Sequence, residues 1–150
     1  MADRSVTPGT WEQVVDACLQ IMAATPPEDR GAVELVAEAV ATADAALVEV
    51  VRRDPDPFGW PAGAALACGA AIGCYQEAAD WPVFDLPIPA LVGYGQIPTA
   101  ELSTGARRLI AAAHDATLAL ATAATDHRAA MQLADAAGAL IRPLLTFQSS

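Results

Sequence analysis

Tyr75, Glu77, Asp80, Asp85 and His114 are the side chains of this 150-residue sequence best suited to move a proton. Burial can raise a carboxyl pKa far enough for acid–base work, which would suit a small cofactor-free lyase, isomerase or cyclase. Nothing in their spacing links them. Glu77 and Asp80 close an apolar segment, Asp85 sits among prolines, and His114 falls in a separate helical stretch. His114 precedes Asp115, but adjacent residues on a helix diverge, so no dyad is expected there. His127 reads as a helix-start residue.

Other chemistries lack a signature. There is no G-x-S-x-G turn for a nucleophilic serine, no Walker motif and no dinucleotide fingerprint. A carrier protein would need a serine after aspartate, and "FDLPIP" has Leu86 in that place. No Glu-x-x-His pair or cysteine cluster offers metal ligands, so neither a metal nor another cofactor is expected. Cys68 and Cys74 lie about 240° apart on a helix and cannot bridge or chelate together. With Cys18 they make an odd count, which argues for small buried hydrophobes rather than a disulfide framework.

Six of the eight aromatic residues fall between 58 and 94: Phe58, Trp60, Tyr75, Trp81, Phe84 and Tyr94. Trp60, Trp81, Phe84 and Tyr94 are the candidate binding residues. They would line an apolar pocket or present a patch to a protein partner. The plainer reading is that such aromatics close the ends of a helical bundle.

The elements that must position these groups are helices. Apolar residues make up 54% of the chain but aromatics only 5%, and much of the remainder is Ala, which suits helices better than strands. Eighteen acids against eight bases, all of them Arg, give a net charge of −10. That balance repels phosphate backbones and anionic lipids and excludes nucleic-acid and membrane-surface binding as expectations. "MADRSVTPGT" has no signal-peptide pattern, so a cytoplasmic protein is expected.

Thr10 and Gln13 form a capping-box pattern before a seam of Trp11, Val14, Cys18 and Ile21. Pro27, Glu28 and Asp29 suit the first turn of the next helix. There Val33, Val36, Val40, Ala43, Leu47 and Val50 recur at spacings of 3 and 4, a narrow coiled-coil-like seam. "DPDPFGWP" ends it. The stretch "FGWPAGAALACGAAIGCY" carries no charge, yet Pro61 and its many Ala and Gly residues make it a poor membrane span. It predicts a central helix over about 62–79, packed by neighbours on several sides.

Residues 81–98 hold four prolines and read as a long apolar loop, the aromatic flap of the molecule. The seam from Leu102 continues unbroken to Leu144. One helix over 100–141 would be about 63 Å long, so either it breaks near "ATDH", with Thr125 or Asp126 as cap, which is the reading preferred, or the extra length belongs to a dimer. Pro143 should end the last helix.

The sequence therefore predicts a single all-α domain over 1–150, an antiparallel bundle of four or five helices. The expected role is non-catalytic binding of a protein partner or an apolar small molecule through the flap, with self-association into a homo-oligomer. The cofactor-free enzyme with a pocket beneath the flap is the alternative.

Overall fold

The computed structural model describes residues 10–80 and 94–148, with side chains as far as 145. It holds α1 (Trp11–Ala24), α2 (Ala32–Arg53), α3 (Trp60–Ala79), a 3₁₀ turn at Tyr94–Gln96, α4 (Thr99–Ala123) and α5 (His127–Gln148). No strand occurs among the described residues. Only the last five residues of the expected 81–98 loop are described, and Trp81, Phe84 and Asp85 lie outside the described residues.

Local chemistry accounts for the helix starts. Thr10 Oγ1 accepts from the Gln13 amide at 3.2 Å while Gln13 Oε1 accepts from the Thr10 amide at 3.0 Å, the reciprocal capping box. Asp126 Oδ2 accepts from the Ala129 amide at 3.0 Å and starts α5, so the long seam does break where expected. Two expected boundaries are corrected. Pro27, Glu28 and Asp29 precede α2 as turns rather than opening it, because Asp29 Oδ1 ties down the Gly31 amide at 2.8 Å and the helix begins at Ala32. Pro143 does not end α5, which runs on to Gln148. The helix interior is a costly place for proline, but here the Trp60 indole donates to the Pro143 carbonyl at 2.6 Å and anchors that turn against α3.

Four helices form a ring in which α2 contacts α3 and α4, and α5 contacts α3 and α4. Cross-links fix their directions. Trp60 at the start of α3 meets Pro143 late in α5, and Glu77 at its end meets Arg128 early in α5, so the two are antiparallel. Tyr75 late in α3 meets Thr117 late in α4 across the core, so those two are parallel and diagonal. Asp80 and Tyr94 consequently stand at opposite ends of the bundle, a four-helix arrangement with one crossover. Helix α1 lies outside the ring against α4 and, less extensively, α2.

Small side chains bring the helices together: Ala39, Ala43, Ala46, Ala64, Ala71, Ala106, Ala113 and Ala136 are all buried. The narrow α2 seam is corrected to a wide face, since Ala37, Ala39, Thr42 and Ala46 are buried with it. A helix touching α1, α3 and α4 must bury more than one stripe. On α1 the buried set is Trp11, Val14, Val15 and Met22, while Ile21 is 46% exposed. Helix α3 is not packed on several sides. Ala64, Cys68, Ala71 and Tyr75 face the core, whereas Gly63, Leu66, Gly69 and Ala70 face outward.

Half-buried Asp44 on α2 has its carboxyl pKa pushed up by burial. Such a group weakens the fold wherever it is ionised in both states, and that penalty disappears as pH falls through its raised pKa and below the ordinary value of 3.8. Asp44→Asn is therefore expected to raise the melting temperature at pH 7, with the gain fading near pH 3. Calorimetry at the two pH values checks it, and an equal gain at both would refute the ionic cause.

Candidate functional site: the groove between α3 and α5

The turn before α3 shapes one end of the site. Asp56 Oδ1 accepts from the Phe58 amide at 3.0 Å and the Asp56 carbonyl accepts from the Gly59 amide at 3.0 Å. This tight turn projects Phe58 into solvent, 97% exposed. Pro61 falls in the first turn of α3, where its missing amide hydrogen costs nothing. Trp60, half-buried, is held by its bond to Pro143.

Between α3 and α5 runs a groove of about 630 Å³, lined by Phe58, Trp60, Gly63, Leu66, Ala139 and Arg142 among others. Its wall is mostly apolar. Leu66 is 77% exposed, and β-carbons built at Gly63, Gly69 or Gly73 would meet nothing within 4 Å. An exposed apolar surface of this kind, with Arg142 as its charged residue, is characteristic of an interaction site.

A second cleft, of about 670 Å³, lies where α1, the 94–98 segment and α4 begin. Arg53 shapes this end by donating to the carbonyls of Tyr94 and Ile97 and to Thr99 Oγ1. With Arg52 it also holds the Glu49 carboxyl down at about 2 through hydrogen bonds. Trp11 lies edge-on to Tyr94 with ring centroids 5.8 Å apart and donates its indole hydrogen to the Glu101 carbonyl at 2.9 Å. Glu12, Glu101 and Arg108 give this cleft both signs of charge, and Arg108 already pairs with Asp16 at 3.3 Å.

The sequence-derived candidates do not converge. Tyr75 is fully buried. Thr117 Oγ1 donates to the Ala113 carbonyl at 2.6 Å, so the Tyr75 hydroxyl donates to Thr117 Oγ1, also at 2.6 Å. Burial pushes its pKa well above the ordinary tyrosine range. Glu77 and Asp80 are exposed at the far end of α3, Glu77 facing Arg128 at 3.3 Å. His114 lies on α4, and here the expectation of divergence is corrected: its Nδ1 sits 3.3 Å from Asp115 Oδ1. Flexible side chains bridge neighbouring positions, although Asp115 is 85% exposed and the contact is open to water. Trp60 belongs to the groove, whereas Tyr94 packs with Trp11; its buried hydroxyl has no hydrogen-bond partner among the described residues, and burial followed by Cys18 pushes it up to about 12.

The cysteines are protonated at neutral pH. Burial, then the Glu38 charge, pushes Cys18 up to about 11; burial and Asp44 push Cys68 higher still. Cys74 is raised by burial, Asp135 and Glu77. None is activated as a nucleophile, which needs the opposite shift. Among the described residues no group of three His, Cys, Asp or Glu could hold a metal ion, and no helix is long and apolar enough to cross a membrane.

No protein-family profile, curated protein or solved structure matches this chain. Function must be argued from the groove itself.

Sequence reasoning missed Leu66, Arg142 and Pro143 as neighbours of Trp60. The available signal was the spacing Gly63, Leu66, Ala70 and Gly73, a second face on a helix whose other face is equally apolar. A uniformly apolar helix does not disclose which side is open.

Proposed function

We propose that this bundle is a binding protein whose α3–α5 face, with the groove at its centre, packs against an apolar helical face of a protein partner. The observation that carries this reading is the exposure of Phe58 and Leu66, 97% and 77%, on the rim of the groove. Glycines at 63, 69 and 73 let another backbone approach α3 closely, which a helix exploits and a small ligand does not require. Of the sequence-derived binding set, Trp60 contributes to this surface. The enzyme alternative has no comparable support, because Tyr75 is buried in the core, Glu77 faces Arg128 at the end of α3 and His114 sits beside Asp115 on α4.

The solvatochromic dye Nile red serves as a neutral probe of the groove. At about 1 µM chain, dilute enough to leave the groove open, the full chain is expected to enhance and blue-shift its emission, and Leu66→Asp to weaken that binding about tenfold, the scale of removing one well-placed apolar contact. The melting temperature should stay near the wild-type value, since Leu66 supports no core packing. Unchanged dye binding in the variant would overturn the groove reading. A small molecule released on denaturation, seen by comparing native and denatured masses, would overturn the protein-partner reading in favour of an apolar ligand.

A further inference from the structure

We propose that the partner is a second copy of this chain, packed antiparallel with α3 on α3 and α5 on α5; this inference rests on the groove reading above. The two-fold axis crosses α5 at Gly138–Ala139 and α3 at Leu66. The outward face of α5 carries Met131, Asp135, Gly138, Arg142 and Leu145, all exposed. These residues recur every three or four positions and so form one stripe about 21 Å long. Read from either end the stripe is apolar, charged, small, charged, apolar, and the two charges are opposite.

An antiparallel copy centred on Gly138–Ala139 therefore places Asp135 against Arg142 of the second copy, and Arg142 against its Asp135. The same operation sets Met131, 55% exposed, against Leu145 of the second copy, 62% exposed in each chain. One symmetry element brings opposite charges and apolar surfaces of the two copies together, as an isologous interface requires.

The register on α3 follows without adjustment. The Trp60–Pro143 and Glu77–Arg128 contacts place Gly138–Ala139 of α5 level with about residue 65 or 66 of α3. Leu66 then lies at the axis, and Phe58 of one copy falls level with Gly73 of the other. Phe58, the most exposed aromatic among the described residues, is opposite a position with open space above it. Residues 57–76 carry no charge. In a chain of net charge −10, this uncharged stretch spares the face the like-charge repulsion that acidic copies meet elsewhere.

The test is sedimentation velocity on the full chain up to about 200 µM, with four variants. The wild type is expected to dimerise and Leu66→Asp to be monomeric. Asp135→Arg and Arg142→Asp should each weaken the dimer about tenfold, and the double exchange should restore it. The two reversals change net charge in opposite directions, so a general charge effect would strengthen one and weaken the other. A wild-type monomer overturns the second-copy inference. Nile red binding that Leu66→Asp abolishes would then keep the groove reading alive, whereas dye binding that ignores it would end both. A dimer indifferent to Leu66→Asp, or one not restored by the double exchange, overturns the proposed interface.

Discussion

Gly105→Ala is expected to destabilise the protein by about 1–3 kcal/mol, the range for forcing atoms into a packed site. In an ordinary helix interior the same change would stabilise by roughly 1 kcal/mol. The reversal comes from Trp11. A β-carbon at 105 would lie 2.3 Å from the indole Nε1 and 2.6 Å from Cε2, atoms of a rigid ring that is also bonded to the Glu101 carbonyl and stacked edge-on to Tyr94. The ring cannot yield without losing both contacts and loosening α1 from α4. Trp11→Ala alone should cost about 3–5 kcal/mol. In that background Gly105→Ala should turn stabilising, because the obstruction is gone and only helix propensity remains. Urea titrations of the four proteins measure the cycle. A destabilising Gly105→Ala in both backgrounds would show that the indole is not the cause.

Thr117→Val is expected to cost about 2 kcal/mol, since it leaves the buried Tyr75 hydroxyl a donor without an acceptor. Tyr75→Phe should cost about 1 kcal/mol, removing a single bond from a hydroxyl that still donates to Ala113. The double variant should lose less than the sum, because both partners of the bond have gone together. Strict additivity would place the hydroxyls out of contact. An alkaline signature accompanies this. Folded Tyr75 has a raised pKa, so its unfolded form ionises first, and stability falls as pH climbs above the ordinary value of 10.0. Tyr75→Phe should flatten that fall in part, with Cys18, Cys68, Cys74 and Tyr94 supplying the remainder.

How much of this was legible beforehand depends on the range of the interaction. The Thr10–Gln13 capping box and the Asp126 start of α5 act within three residues, and both stand out in the linear pattern. The α2 seam was equally readable in outline, because Val36, Val40, Ala43, Leu47 and Val50 follow the helical period. Its width was not, since the extra buried Ala residues reflect how many helices surround α2. Val15 and Met22 displaced Ile21 from the expected α1 seam for a related reason. Which face of α1 turns inward is decided by where Trp11 lodges on α4, 90 residues away in sequence.

The candidate site was less legible than the fold. Trp60 was marked by type alone, but its role as a wall of the groove depends on Pro143, 83 residues distant. The same contact lets a proline persist inside α5, where local rules predict a stop. Tyr75 illustrates the opposite failure. Its chemistry qualified it as an acid–base candidate, and full burial against Thr117 gives it a place in the core.

Composition and helical period by themselves determined that this is an all-α bundle, and helix length pointed to a break near Thr125 or Asp126, because those signals are local or additive along the chain. Tertiary packing alone decided which face of the apolar α3 stays open, that Gly105 is a cradle for Trp11, and that the α5 stripe from Met131 to Leu145 faces outward. Each of those depends on contacts between residues dozens of positions apart, and hydropathy along one helix has the same value whichever side its neighbours occupy.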